Sequence, residues 1–288
     1  MGCTRFAPTP SGFLHEGNLA NFMLVALLAK SEGLRIRLRI DDLDRSRFRE
    51  AYLHDIFDVL NGVGLVWDEG PRDPADFLGG YSQHLRLNLY EQYLSELRRR
   101  GLVYACRCTR SAGGNAGSFC ASDCAQRRLS LDDPDLVWLC RIDPGFEAAV
   151  HDHSGSILRY GLLDRGIGDF VVRRRRESAS GRCLPSYQLA SVVDDVLYGT
   201  TLIVRGVDLF DSSLMQLWLA YCLDLIEFTS VRFVHHDLLL NDAQQKLSKS
   251  TAHSGGDVGS LLKKWPNLQA LEATLPIHDW VRSLRLMR

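Results

Sequence analysis

The first forty residues constrain the fold most. Cys3 to Ala7 is a short apolar run bounded by Pro8 and Pro10, Asn18 to Ser31 carries a helical pattern, and Leu34 to Ile40 alternates arginine with apolar residues. A period of two reads as a strand. Strand, helix and strand within about 40 residues form a βαβ unit, because two parallel strands need a long crossover between them. The chain is therefore expected to be α/β with a parallel sheet. Ligands of such sheets bind beyond the carboxyl ends of the strands, and phosphates favour helix N-termini. The turn Thr9 to Gly12 and the residues that follow it stand at that place.

Further along, helical patterns cover Arg49 to Val63, Arg86 to Gly101, Leu184 to Leu197 and Ser213 to Leu225. Val137 to Ile142, Phe170 to Arg174 and Thr201 to Val204 read as strands. Thr109 to Asp135 is rich in Gly, Ser, Ala and Cys with weak periodicity, so it reads as a loop-rich insertion. Four of the eight cysteines crowd into one short window in and just before it, as Cys106, Cys108, Cys120 and Cys124. In a reducing compartment such spacing favours a metal over disulfides, and four thiolates suit tetrahedral zinc in a structural site. Cys3, Cys140, Cys183 and Cys222 lie on apolar stretches and are expected to be ordinary buried thiols.

Composition excludes some classes. With 45% hydrophobic and 24% charged residues, the 288-residue chain is an ordinary globular one. No run approaches the ~18 apolar residues of a membrane helix. The apolar stretch from Phe22 to Ala29 lacks a basic leader, so a cytoplasmic location is expected. A net charge of −1 does not advertise nucleic-acid binding. Local basic tracts at Arg98 to Arg100, Arg127, Arg128 and Arg173 to Arg176 leave room for phosphate contacts.

Two short stretches point to nucleotide chemistry. His15-Glu16-Gly17-Asn18 opens the first helix, and Lys246-Leu247-Ser248-Lys249-Ser250 is a cationic loop suited to neutralising a reacting triphosphate. Together they resemble the paired HIGH and KMSKS signatures of class I aminoacyl-tRNA synthetases. Asn18 stands where that family often has its second His, and it keeps a donor but not a titratable ring. The resemblance implies activation of an amino acid by ATP with magnesium. His15, Gly17 and Asn18 would lie on the ATP phosphates, and Lys246 and Lys249 on the departing pyrophosphate.

Arg5 to Gly12, Arg39 to Arg47, Gly168 to Arg174, Tyr187 to Asp195 and Val204 to Leu209 narrow the resemblance to the glutamyl branch. It covers about Thr4 to Ser250. Guanidinium groups hold carboxylates through paired charge-assisted bonds, so arginines at strand ends suit a glutamate side chain. The resemblance gives that role to Arg5 and Arg205, with Tyr187 beside them, and gives the substrate ammonium to Asp41. The branch normally has Glu at that last position, and Ser191 is a second departure. The expected organisation is a Rossmann-like first half at 1–105, an insertion with the zinc site at 106–183, a second half at 184–250 and a short tail at 251–288.

Members that charge queuosine in the anticodon loop of tRNA(Asp) are similar in lacking a long module after the lysine loop. They often carry C-x-C then Y-x3-C in the insertion, and Cys120 replaces their Tyr. This implies glutamate, ATP and the tRNA(Asp) anticodon stem-loop as partners of a monomer. A shortened glutamyl-tRNA synthetase, transfer to a non-tRNA acceptor and an inactive binding paralogue stay open as alternatives.

Overall fold

The computed structural model describes residues 1–108, 123–152, 154–177, 181–238 and six later positions, namely 261, 263, 264, 267, 269 and 270. Lys246, Lys249 and Cys120 lie outside the described residues, as does the glycine-rich part of the insertion. The opening unit is as expected. Strand β1 (Cys3–Phe6) leads to helix α1 (Glu16–Glu32) and then to β2 (Arg35–Leu38), and β1 pairs with β2 in parallel. Helix α2 (Glu50–Gly62), the turn α3 (Pro74–Asp76) and helix α4 (Leu87–Arg99) follow.

Two four-stranded sheets complete the described architecture. In one, β3 (Val103–Cys106), β4 (Val137–Cys140), β7 (Phe170–Arg176) and β8 (Cys183–Pro185) run antiparallel to their neighbours. In the other, β9 (Leu202–Gly206) and β10 (Arg232–His236) are parallel, and β10 also pairs in parallel with β5 (Glu147–Asp152), which carries β6 (Ile157–Gly161). The Thr201 N–H donates to the Cys3 carbonyl at 2.8 Å, which sets β9 beside β1. Helices α5 (Tyr187–Leu197), α6 (Phe210–Cys222) and α7 (Ile226–Thr229) pack on this arrangement. No helix among the described residues is long and apolar enough to cross a membrane.

Alternation along β9 shows how both faces are covered. Leu202 and Val204 join the cluster formed with α1 and α2, around Phe6, Met23 and Leu53. Ile203 joins the cluster of α5 and α6, around Val193, Leu214 and Trp218. A parallel strand buried on both faces reads as a continuous apolar run, which is why 201–204 was legible.

Two expectations need correction. Leu184 to Leu197 is not one helix. Residues 183–185 are a strand, and the helix starts after Ser186, whose side chain accepts from the Leu189 N–H at 3.4 Å. Pro185 has no N–H and pushes Leu184 to extended backbone, so the helix starts beyond both. The helix expected from Ser213 begins three residues earlier, at Phe210. Strands β5, β6 and β10 were not anticipated at all.

Candidate active site

The nucleotide end of the site is built by the start of α1. The His15 side chain caps the helix, its Nδ1 accepting from the Gly17 N–H at 3.1 Å. The Asn18 side-chain oxygen accepts from the His15 N–H at 3.1 Å. This reciprocal capping holds the imidazole over the first turn. An accepting Nδ1 places the ring proton on Nε2, the tautomer that donates. Gly17 makes the fold-over feasible, since a Cβ there would stand 3.0 Å from His15 Cε1. The Leu14 N–H donates to buried Asp55 of α2 at 2.7 Å and fixes the loop that enters the helix.

A cavity of about 230 Å³ opens at this helix start, between the carboxyl ends of β1 and β9. Arg5, His15, Gly17, Asn18, Tyr187 and Arg205 all line it, so the structure brings together six of the residues expected at the site. Asp41 does not line that cavity. It lines a neighbouring one of about 540 Å³ with Thr9, Gln83 and Arg174, and Tyr187 lies on the walls of both.

Beneath the two cavities runs a buried ionic network. Arg39 donates to both oxygens of Asp41 at 2.8 and 3.1 Å and to Ser191 Oγ at 3.2 Å. Its Nη1 is also 2.9 Å from Asp195 Oδ1. Arg5 Nε donates to the same Asp195 oxygen at 3.0 Å. Burial pushes the Asp195 carboxyl up, but the Arg39 and Arg5 charges outweigh it and hold the group below its usual range. Asp41 goes the other way. Burial dominates over Arg39 and raises it to about 6. Next to it, fully buried Asp194 accepts a paired contact from Arg86 and a 2.7 Å bond from Tyr90.

Arg205 is different. It is 4% exposed, and its one side-chain hydrogen bond among the described residues runs from Nη2 to Gln216 Oε1, the side-chain amide oxygen, at 2.8 Å. Its Nε and Nη1 are buried without partners. Burial, followed by the cations Arg5 and Arg39 among the smaller influences, lowers its guanidinium to about 10. A desolvated cation with unused donors at a cavity wall is a receiver for an anion.

The metal expectation fits the three described thiols. Cys106 ends β3, and the Sγ atoms of Cys106, Cys108 and Cys124 lie within 4.8 Å of one another. Cys108 Sγ and Cys124 Sγ are 3.7 Å apart, close to the roughly 3.8 Å implied by a tetrahedral ion with metal–sulfur bonds of about 2.3 Å. Arg175 pins the turn by donating to the carbonyls of Arg107 and Cys108 at 2.6 and 2.8 Å. Cys3, Cys140 and Cys222 are buried and free, as expected, while Cys183 is only partly buried.

The basic tracts are mostly spoken for. Arg173 is buried over Trp138 and donates to the carbonyls of Leu131, Asp133 and Leu136. It is therefore a packing residue, not the phosphate contact its sequence suggested. Arg98 pairs with Asp132, Arg99 and Arg100 with Glu96, and Arg176 with Asp135.

A parallel sheet with a helix start and, beside it, a buried arginine without an ion-pair partner among the described residues can take a phosphate at one end of the cavity and another anion at the other. The fold is that of class I tRNA synthetases. A crystal structure of a glutamate tRNA ligase from Elizabethkingia meningosepticum matches with a TM-score of 0.67 at 21% identity, over 89% of this chain and 53% of that one. The chain thus spans about half the length of that structure. The chain belongs to the family of class I tRNA synthetases (E and Q), whose catalytic-domain model matches residues 3–112 and 168–268. It is an enzyme of the tRNA synthetase type, a ligase. Among curated relatives, the Glutamyl-Q tRNA(Asp) synthetase of Dechloromonas aromatica is 34% identical over 98% of this chain and 85% of its own length. The protein of the same name from Symbiobacterium thermophilum is 36% identical over 86% and 78%.

Proposed function

We propose that the chain activates glutamate with ATP and transfers the glutamyl group to queuosine in the anticodon loop of tRNA(Asp). The observation that carries the choice of glutamate is the buried Arg205, charged and unmatched by any acid bonded to it among the described residues. A γ-carboxylate supplies the missing partner. Arg5 and Tyr187 stand at the same cavity, and Asp41 offers a carboxylate for the α-ammonium from the other side of Tyr187. Between these ends the α-carboxylate is turned toward the start of α1. The acceptor is supported by the names of relatives similar along nearly the whole chain.

The chemistry needs no protein nucleophile. A carboxylate oxygen of glutamate attacks the α-phosphorus of ATP, the bond to the bridging oxygen breaks, and pyrophosphate leaves with that electron pair. A hydroxyl of the queuosine diol then attacks the acyl carbon, loses its proton, and AMP departs. Catalysis is positioning and charge stabilisation. His15, Gly17 and Asn18 serve the phosphates at the helix start, and Lys246 and Lys249 take the pyrophosphate, with magnesium arriving on ATP. Cys106, Cys108, Cys120 and Cys124 would hold a zinc ion that orders the insertion.

A minimal anticodon stem-loop carrying queuosine and ending in a 3′-deoxy sugar tests the acceptor. Labelled glutamate should enter it, less so at high salt because phosphate contacts carry binding, and not when guanosine replaces queuosine. An unlabelled fragment together with charging of tRNA(Glu) at its 3′ end would overturn the acceptor but keep the activation step.

A further inference from the structure

Strand periodicity decides what Arg205 meets. Ile203 faces α5 and α6, so Arg205, two residues on, faces the same way. There it meets Gln216, which lies on α6 and is fully buried. Across the β9–β10 register, Ile203 is paired with Phe233 and Arg205 with His235. The Arg205 guanidinium stands 5.2 Å from the Phe233 ring centre. His235 shares a 2.7 Å hydrogen bond with Ser213 Oγ. Burial first, and the charge of Arg205 next, lower His235 to about 3, so it carries no charge at neutral pH. These four groups are neutral: an amide, a phenyl ring, an imidazole and a hydroxyl. The nearest acid to act on Arg205, Asp195, is bonded to Arg5 and Arg39 instead.

The contrast with the adjoining network gives the shell a meaning. Arg5 and Arg39 share the carboxylate of Asp195, and Arg86 has Asp194. Arg205 has no ion-pair partner among the described residues, although it is as deeply buried. An acid at 216 could take the same hydrogen bond and would cancel the charge. The Gln216 amide takes it through its oxygen and leaves its own Nε2 buried without a partner. An unpaired buried donor is unfavourable, so at this place stability is not what the choice of residue serves.

We infer that Gln216 is a positioning residue that sets acid specificity: its neutral amide aims the Arg205 guanidinium while leaving its charge for the carboxylate of the substrate. The inference rests on the proposal that glutamate is the amino acid activated. It goes further by assigning the preference for glutamate over glutamine to a residue that touches Arg205 and does not line the cavity.

Two variants separate aim from charge. Gln216→Glu keeps an acceptor but supplies an internal counter-charge. Its KM for glutamate in pyrophosphate exchange should rise about thirtyfold or more, as losing a buried charge pairing does. Its preference for glutamate over glutamine should fall by about the same factor. The KM for ATP should stay within about twofold, since the phosphate end is untouched. Gln216→Met removes the acceptor and keeps the charge free. Its KM for glutamate should rise about tenfold, the size of one lost hydrogen bond to a charged group, with the glutamate preference kept. Melting curves with and without glutamate give a second reading. The stabilisation by glutamate should shrink in the order wild type, Gln216→Met, Gln216→Glu. If Gln216→Glu does not fold, Gln216→Met alone decides: an unchanged KM and an unchanged glutamate-induced shift overturn the inference. Gln216→Glu with wild-type preference also overturns it, as does an equal loss for glutamate and ATP in both variants, the mark of a purely structural role. Wild-type protein run in parallel keeps the two levels apart. Exchange that does not depend on glutamate refutes the proposed function itself, whereas glutamate-dependent exchange that ignores both substitutions refutes only the role of Gln216.

Discussion

Arg39 and Arg205 are equally buried, each 4% exposed, and each sits at the carboxyl end of a strand of the parallel layer. Their surroundings are opposite. Arg39 meets two carboxylates and a serine hydroxyl, and although burial works against its charge, Asp195 and Asp41 raise its pKa well above the ordinary value. Arg205 meets one amide, and burial lowers it to about 10. Arg39, balanced by two carboxylates, serves the ionic network. In the proposed role Arg205, without an ion-pair partner among the described residues, is held ready for the substrate, and the fold bears its cost until the substrate comes.

The largest effect separates the two by stability. Arg39→Met strips Asp41 and Asp195 of a shared partner, and breaking such a buried network costs about 3–5 kcal/mol. The melting temperature should drop by roughly 10 °C for a chain of this size. Arg205→Met removes a cation that the protein does not satisfy, so its melting temperature should match or exceed that of the wild type. Equal losses in differential scanning calorimetry would erase the distinction.

The next effect uses pH. Asp41 holds its proton more tightly folded than unfolded, about 6 against 3.8. Its burial therefore takes stability away as pH rises from 3.8 through 6, by about 3 kcal/mol at full ionisation. The cost is absent below pH 3.8 and complete above 6. Denaturant titrations across that range should show this slope in the wild type and lose it in Asp41→Asn. In the proposed role the ionised form is the one that binds the ammonium. The KM for glutamate should thus rise about tenfold between pH 7 and pH 5, and the slope should vanish in Asp41→Asn. Asp41→Glu restores the longer acid of the glutamyl branch and should lower that KM. Loss of activity would mean that the pocket is built around the shorter side chain.

The smallest effect lies in the thiol cluster, remote in role from either arginine. Purified, reduced protein should contain about one zinc per chain, and Cys124→Ala should lose it. Removing the metal should lower the thermal stability of the insertion while the KM for glutamate stays within about twofold. A metal-free wild type, or a KM that follows metal content, would break the assignment of the cluster to structure alone.

How much of this was legible varies with the physics involved. The βαβ unit was, because β1 is an apolar run closed by Pro8 and Pro10 and β2 alternates, while α1, buried around most of its circumference, is marked by its length as an apolar stretch and not by one apolar face. That Arg5 and Arg205 end strands near the helix start was legible, and they do line one cavity; their role came from the resemblance to the glutamyl branch. The helix boundary at Ser186 was missed where the pattern of 184–197 looked continuous and only Pro185 signalled a break. Strand β6 was missed because its residues are largely exposed and leave no apolar alternation. Arg39 was part of a recognised stretch, yet its link to Asp41 went unread; two residues apart on extended chain, they share a face, and that was the available signal. Gln216 had none. Its meeting with Arg205 depends on the packing of α6 against β9, which local sequence does not encode.

Amino-acid-dependent pyrophosphate exchange by wild type and Arg205→Met bears most directly on the contrast between the two arginines. With ATP and each of the common amino acids in turn, the wild type should exchange with glutamate. Arg205→Met should lose at least about a hundredfold in kcat/KM for glutamate, the scale set by removing one side of a desolvated charge pair, while its KM for ATP and its melting temperature hold. Undiminished glutamate exchange in Arg205→Met would contradict the assignment of that buried, unmatched charge to the substrate.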